Sequence, residues 1–379
     1  MSTTTQSLAK LPFPSYKGLS NDELRQRILA GKEKLGKKLL ILGHHYQQDE
    51  VIEHADLRGD SLQLSEMAAA EDECETIIFC GVHFMAETAD ILANTPEKLA
   101  ARNGKRVQVI LPDMNAGCSM ADMAAIRQVE ACWDELGDVV DTKRIIPVTY
   151  INSAASLKGF VGRNGGVVCT SSNAPAVLKW AFEKGDRVLF FPDQHLGRNT
   201  ALKMGITNDL MPVWDPFADE LGGNSEQQIL DSKVILWKGH CSVHQMFKPE
   251  HVHGFRERIP GIKILVHPEC PQNVNDLADI SGSTGKIIKT VQEAQPGTKW
   301  AIGTELHLVN RLKQEHPEQE IHFLSPVVCM CATMYRIDLA HLCWSIENLI
   351  AGCHVNVVEV DRQTADYSIS ALERMLTIK

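Results

Sequence analysis

The sequence lacks the features that mark membrane, secreted and nucleic-acid-binding proteins. No uncharged apolar run approaches the roughly eighteen residues that a membrane-spanning helix needs, and residues 1–18 contain no basic segment followed by an apolar stretch, so no signal peptide is evident. Positive charge is not in excess, because 38 Lys and Arg stand against 48 Asp and Glu, for a net charge of −10. We therefore expect a cytoplasmic protein whose main partner is neither a membrane nor a nucleic acid.

The 11 cysteines lack the spacings of familiar metal sites. There is no Cys-x-x-Cys pair of the zinc-ribbon kind and no closely spaced run of the ferredoxin type. Disulfides are a poor explanation for cysteines in the cytoplasm. Each cysteine taken alone therefore fits a small buried apolar side chain, and spacing by itself is only a weak indication of metal binding.

Short apolar runs alternate with helical patterns along most of the 379 residues, a length that suits two or three domains. The pattern occurs three times, which predicts an α/β fold of three similar three-layer α/β/α units with parallel sheets. Each copy ends its first strand in a polar cluster, and a later strand or loop of each copy carries one of the cysteines Cys118, Cys241 and Cys331. Because ligands bind at the carboxyl ends of parallel strands, we expect the units to surround a pseudo-threefold axis with the active site at its centre.

The predicted boundaries follow the same pattern. Residues 1–35 form a leader and a helix, 36–118 the first unit, 119–241 the second and 242–331 the third, and residues 332–379 return to the first unit. Helices are predicted at 62–70 and 83–92. The predicted strands are 38–42, 76–79, 106–111, 144–150, 166–169, 187–191, 233–237, 262–266, 285–290, 300–302, 321–324 and 355–360.

Three stretches around single cysteines resemble the cluster-binding stretches of quinolinate synthases. They are Gly117-Cys118-Ser119-Met120-Ala121-Asp122, Trp237-Lys238-Gly239-His240-Cys241-Ser242-Val243-His244 and Cys331-Ala332-Thr333-Met334. Other motifs resemble that family in the same order, from about residue 39 to residue 342: His44-x-Tyr46, Gly59-Asp60-Ser61-Leu62-Gln63-Leu64, Val82-His83-Phe84-Met85-Ala86-Glu87-Thr88-Ala89, Thr170-Ser171-Ser172-Asn173-Ala174, Val266-His267-Pro268-Glu269 and Gly282-Ser283-Thr284.

The resemblance implies a 4Fe–4S cluster held by the thiolates of Cys118, Cys241 and Cys331, with the fourth iron open to substrate. An open iron polarises a bound oxygen or nitrogen as a Lewis acid, whereas a cluster closed by four cysteines would indicate electron transfer. The family's Cys-x-x-Met pattern fits Cys331 with Met334. Exchange of Cys331 with its neighbour Cys329 stays open at this point.

The resemblance also implies the reaction, which condenses iminoaspartate with dihydroxyacetone phosphate to give quinolinate, phosphate and water in NAD biosynthesis. It further implies a functional link to L-aspartate oxidase, the pathway's source of iminoaspartate. Both substrates are anions, and serine and threonine in glycine-containing turns commonly expose anion-binding N–H groups. The candidate substrate-binding residues are His44, Ser61, Tyr150, Asn152, Ser171, His267, Glu269, Ser283 and Thr284.

Ring closure and two dehydrations need groups that move protons. Glu269 is the first candidate for general acid–base catalysis, with His267 to orient it or to bind phosphate, and Tyr46 is the second candidate. Glu305 and His307 follow a strand end and are expected to lie behind the residues that touch substrate.

Three alternatives belong to other classes. Another 4Fe–4S hydro-lyase, with chemistry of the aconitase kind, would share the open iron but would not explain the ordered motifs. A non-enzymatic iron–sulfur sensor would need only the cysteines and would leave the polar clusters unexplained. A Rossmann-type nucleotide binder would need Gly-x-Gly-x-x-Gly after a strand, and the nearest approach, Gly282-Ser283-Thr284-Gly285, lacks the first glycine.

Overall fold

The computed structural model describes residues 10–328 and 330–378. Contacts divide the chain into two compact units. The first unit holds the residues up to Gly59 together with 63–117 and 332–359, and the second holds 60–62, the described part of 118–331, and 360–378. In the part of the chain that the structure describes, no helix has both the length and the apolar composition needed to cross a bilayer.

Fourteen strands lie in the described residues. They are β1 (Leu39–His44), β2 (Leu57–Gly59), β3 (Thr76–Cys80), β4 (Gln108–Ile110), β5 (Ile145–Tyr150), β6 (Val167–Cys169), β7 (Arg187–Phe191), β8 (Val213–Trp214), β9 (Val234–Trp237), β10 (Lys263–Val266), β11 (Ile280–Ser281), β12 (Lys299–Gly303), β13 (Glu320–Phe323) and β14 (Val357–Val358).

Seventeen α-helices connect and cover these strands within the same residues. They are α1 (Asn21–Leu35), α2 (Asp49–Ile52), α3 (Ser61–Ala70), α4 (His83–Ala93), α5 (Pro96–Ala101), α6 (Ile126–Val139), α7 (Ala155–Arg163), α8 (Ala174–Lys184), α9 (Gln194–Lys203), α10 (Glu226–Asp231), α11 (Ser242–Gln245), α12 (Pro249–Arg258), α13 (Gln272–Asn275), α14 (Thr284–Gln292), α15 (Leu306–Glu315), α16 (Leu339–Ile350) and α17 (Arg362–Thr377).

The first unit contains one sheet, with strand order β14-β4-β3-β1-β2. All its pairings are parallel except that of β14 with β4. Strands β1 and β3 are buried along their whole length, as expected for parallel strands covered by helices on both faces. Their near-continuous apolar residues therefore form the core of this unit.

The second unit contains two parallel sheets, ordered β6-β5-β7-β9-β8 and β11-β10-β12-β13. Both sheets repeat the strand order of the first unit, because the first strand of each sheet lies between the second and the third. Strand β1 lies between β2 and β3, β5 between β6 and β7, and β10 between β11 and β12. The α/β class with mostly parallel sheets is thus confirmed, and the strand order is consistent with repeated units. The division into three units and their arrangement around an axis stay predictions.

One predicted strand, at 285–290, is wrong. These residues belong to α14, which Ser283 caps by accepting the N–H of Lys286. The buried positions of α14 are Thr284, Ile287 and Val291, which share one helical face. The short β-branched run suggested a strand, but the spacing of its buried residues is helical.

The C-terminal segment is shared between the two units. Strand β14 pairs with β4 in the first unit, whereas α17 packs on α7 and β6 in the second. Gly162 of α7 permits this close approach, because a Cβ there would overlap the carbonyl oxygen of Tyr367. The close packing of α17 on α7 thus explains why a glycine occurs inside helix α7.

Candidate active site

Glu269 lies at the centre of a buried hydrogen-bond network in the second unit. It follows β10 and is 3% exposed. The Tyr150 hydroxyl, at the end of β5, donates to Oε1 at 2.6 Å, and Nδ1 of His244 lies 3.0 Å from Oε2. Each carboxylate oxygen therefore has its own partner, which fixes the orientation of the carboxylate.

The ring of His267 lies beside this network. It stacks on the ring of His244 with centroids 4.5 Å apart. Its Nδ1 accepts the backbone N–H of Glu269 at 3.3 Å, and its Nε2 lies 3.2 Å from Oγ of Ser171. These partners place the proton of a neutral ring on Nε2, which donates to Ser171.

Burial affects the protonation states of both His267 and Glu269. It lowers the pKa of His267 to about 3, so the ring is neutral at pH 7. Burial alone would raise the pKa of the Glu269 carboxyl, but His267, His244 and the Tyr150 hydrogen bond outweigh it, and the net shift is downward. With His267 neutral, the hydrogen bonds from His244 and Tyr150 hold Glu269 as a carboxylate.

His244 connects Glu269 with a strand end and with a cysteine. Its Nε2 lies 3.2 Å from the Thr304 hydroxyl, just after β12. A carboxylate can only accept, so Nδ1 of His244 carries a proton and donates it to Glu269. His244 is in α11, which Cys241 precedes as N-cap, and the His244 backbone N–H opposes the rise in the pKa of the Cys241 thiol that burial causes.

The three cysteines with the predicted metal-binding role all lie in the second unit, and each is half-buried. Burial raises the pKa of Cys118 to about 12, the N–H groups of Ala121 and Met120 oppose the rise, and the charge of Cys331 adds to it. The pKa of Cys241 is well above its usual range, mainly through burial, with contributions from the charges of Glu269, Cys118 and Cys331. The three thiols are therefore close enough for their charges to act on one another.

A second donor set, which shares only Cys241 with the three cysteines, could hold a metal ion. Ligand atoms of Cys241, His244 and Glu269 lie within 4.8 Å of one another, close enough to hold a metal ion. Thiolates gathered beside a carboxylate repel one another unless a cation neutralises them. Of the ten described cysteines, six are buried in the core, and three of the four half-buried ones are Cys118, Cys241 and Cys331. Cys329 lies outside the described residues.

Two predicted site residues belong to the first unit. His44 ends β1 and is 3% exposed. Its Nδ1 accepts the backbone N–H of Tyr46 at 3.1 Å, and the two rings meet edge to face with centroids 4.8 Å apart. The local turn after β1 thus sets both side chains.

The other predicted binding residues lie in the second unit, at strand ends and helix starts. Asn152 follows β5, and its Oδ1 is buried without a hydrogen-bond partner in the described structure, which leaves an acceptor for a ligand. Ser283 caps α14, and Thr284, 4% exposed, begins it. Ser61 opens α3. The network around Glu269 brings Tyr150, Ser171, His267 and Glu269 together.

Three residues of this region were missed or undervalued by the sequence analysis. His244 and Thr304 were given no role, although His244 stands in a quoted motif. Asp193 is fully buried and caps α9 by accepting the Leu196 N–H at 2.6 Å, while its Oδ2 has no partner in the described structure. The carboxylate of Glu305 accepts the backbone N–H of Cys331 at 3.4 Å, and its predicted supporting role stays a prediction.

Parallel α/β units and a buried carboxylate–histidine network beside three thiols define an α/β enzyme with a thiol-rich site. Comparison with known proteins names its family. The family of quinolinate synthetase A proteins matches residues 26–377, and the chain belongs to this family.

Individual relatives agree. The quinolinate synthase of Rhodopirellula baltica is 71% identical over 368 residues, covering 97% of this chain and 94% of that protein. Those of Corynebacterium glutamicum and Bacillus licheniformis are each 52% identical over 96% of this chain, covering 89% and 95% of their own lengths. These matches favour a quinolinate synthase over the hydro-lyase, sensor and nucleotide-binding alternatives.

Proposed function

We propose that this chain condenses iminoaspartate with dihydroxyacetone phosphate to give quinolinate, one phosphate and two waters. Membership of the quinolinate synthase family supports the overall activity. The observation that carries the proposal for this site is the carboxylate of Glu269, held by Tyr150 and His244 beside Cys241. A buried, oriented carboxylate is the group that successive proton transfers require.

The cofactor in this proposal is a 4Fe–4S cluster held by Cys118, Cys241 and Cys331. The mutual influence of their charges and their shared half-burial support this ligand set. When bound, such a cluster would supply an iron that acts as a Lewis acid on substrate oxygen or nitrogen. Glu305 supports this ligand set, because its carboxylate accepts the backbone N–H of Cys331.

The side chains of the chain itself would divide the remaining work. Glu269 accepts a proton at Oε1 or Oε2 during ring formation and returns it to a leaving hydroxyl, and Tyr46 is the second candidate for this role. His267, neutral and donating through Nε2, binds an anionic oxygen together with Ser171. His44, Ser61, Tyr150, Asn152, Ser283 and Thr284 complete the proposed contacts to carboxylates and phosphate.

The cellular setting is also a proposal. Free thiols throughout the described cysteines suit the reducing cytoplasm. L-aspartate oxidase is the proposed functional partner, because oxidation of aspartate at the amine yields iminoaspartate. The repeated strand order supports three units, with residues 36–118, 119–241 and 242–331 as their boundaries.

The test is anaerobic turnover. The purified protein receives dihydroxyacetone phosphate and iminoaspartate made in situ by aspartate oxidase, quinolinate is measured by chromatography, and iron and sulfide are counted on the same sample. We expect quinolinate in proportion to about four irons per chain, with loss on exposure to air. An intact cluster without quinolinate would refute the proposed reaction, and active protein without iron would refute the proposed cofactor.

A further inference from the structure

One cavity in the second unit is lined by lysine and serine side chains together with other residues. Its volume is about 250 Å³, which is small for a drug-sized ligand and suits a small anion. The lysines are Lys203, which ends α9, and Lys286, in the first turn of α14. No aspartate or glutamate is among the described residues that line it.

The two lysines carry positive charge close to one carboxylate, that of Asp60, whose Oδ2 accepts from Ser172 and would lie 3.0 Å from a Cβ added at Gly285. Neither Lys203 nor Lys286 forms an ion pair with any described carboxylate, although lysines elsewhere, such as Lys32 and Lys98, do so. The side chains of Lys203 and Lys286 are exposed at the surface, and partial desolvation lowers the pKa of Lys203. In a protein with a net charge of −10, two lysine side chains on one cavity form a local attraction for anions.

The backbone at Gly282 packs against the Lys286 side chain. Gly282 also lines the cavity, and a Cβ there would overlap Cγ of Lys286 and lie 2.8 Å from its Cβ. The stem of Lys286 therefore rests against the bare backbone of Gly282. Any larger residue at this position would displace the lysine from the cavity wall.

The cavity adjoins the candidate active site through Ser171. That residue lines the cavity, and its hydroxyl lies 3.2 Å from Nε2 of His267. Ser283 lines the cavity as well. Ser172, in contrast, is partly engaged, since its hydroxyl donates to Asp60 at 3.3 Å. An anion between the lysines would thus be next to Ser171 and one hydrogen bond from His267.

We propose that Lys203 and Lys286 form a collecting site for the phosphate monoester substrate, which binds there through its phosphate before it reaches His267 and Glu269. The inference rests on the proposed function for the identity of that substrate. Lysine ammonium groups and serine hydroxyls are the donors that a phosphate dianion accepts. A site of this kind raises the rate of capture and leaves the chemical steps unchanged.

The experiment compares two double variants of the cluster-containing enzyme. K203Q/K286Q removes the cavity charges, and K179Q/K184Q removes two exposed lysines from α8 of the same unit as the matched control. We expect K203Q/K286Q to lower kcat/KM for dihydroxyacetone phosphate by roughly tenfold at low ionic strength, with kcat and iron content unchanged. The deficit should shrink at high salt, because screening removes the attraction. K203R/K286R should restore the wild-type value.

Direct binding separates this proposal from the proposed function. Inorganic phosphate is titrated calorimetrically into each holoprotein, which needs no turnover. Loss of phosphate binding in K203Q/K286Q alone supports the site even if no quinolinate forms in any sample. Equal kinetics and equal phosphate binding in the two double variants would overturn the proposal, as would a fall in kcat with KM unchanged.

Discussion

Nδ1 of His244 lies 3.0 Å from Oε2 of Glu269, and the two side chains are only 2% and 3% exposed. The contact joins the turn that contains Cys241 to the carboxylate proposed as acid–base group. Thr304 fixes the far side of the ring at 3.2 Å, so the ring has one orientation. We infer that His244 positions Glu269 and keeps it ionised.

Replacing His244 tests this role. H244A leaves Oε2 of Glu269 buried without its donor, a loss of roughly 1.5–3 kcal/mol, and we expect kcat to fall roughly 10- to 100-fold with a smaller effect on KM. H244N keeps a donor near the position of Nδ1 and should recover most of kcat. Steady-state kinetics on samples with matched iron content provide the measurement. Equal losses in both variants would show that the ring matters only for packing.

The three proposed cluster ligands can be told apart from other cysteines. C118S, C241S and C331S should each bind far less iron and sulfide than the wild type, because serine is a poor ligand for this cluster. C353S is the control, since Cys353 is also half-buried and free but lies in the first unit. Iron analysis and the visible spectrum give the answer. The variant C329S decides whether Cys329 or Cys331 is the third ligand. Loss of the cluster in C329S would contradict the assignment of Cys331.

Tyr150 tests the charge on Glu269. Its hydroxyl donates to Oε1 at 2.6 Å and lowers the pKa of the carboxyl, so Y150F should raise that pKa. If the carboxylate is the working form, the acidic limb of the profile of kcat/KM against pH moves upward by roughly 0.5–1 unit. The profile is measured over the range in which the cluster is stable. An unmoved acidic limb would exclude Glu269 as the titrating base.

Replacing two helical glycines by alanine should change the free energy of unfolding in opposite directions. G162A should lower the free energy of unfolding by roughly 1–3 kcal/mol, because its Cβ meets the Tyr367 backbone where α7 packs on α17. Gly254, in α12, has no atom within 4 Å of an added Cβ, so G254A should raise stability by up to about 1 kcal/mol. Thermal unfolding of both variants checks the pair. Similar shifts in both would contradict the close packing of α17.

The sequence by itself determined the longer strands, the α/β class and the family, whereas the short strands β2, β8 and β11 were not predicted. Buried parallel strands are near-continuous apolar runs, so β1, β3, β5, β7 and β9 were readable within a few residues of their ends. The motifs around Cys118, Cys241 and Cys331 pointed to the family because their order along the chain carries the information. The segment at 285–290 failed because two adjacent isoleucines fit a strand as well as a helix, and only the burial of Ile287 and Val291 decides between them.

Only the tertiary structure decided the network around Glu269. Tyr150 is 119 residues from Glu269 in the sequence, and His244 is 25 residues away. No local pattern specifies that they meet, because the meeting depends on how the ends of β5 and β10 and the start of α11 are placed in space. The same holds for the packing of α17 on α7. Local preferences fix each element, but burial of polar groups against distant partners selects which elements meet.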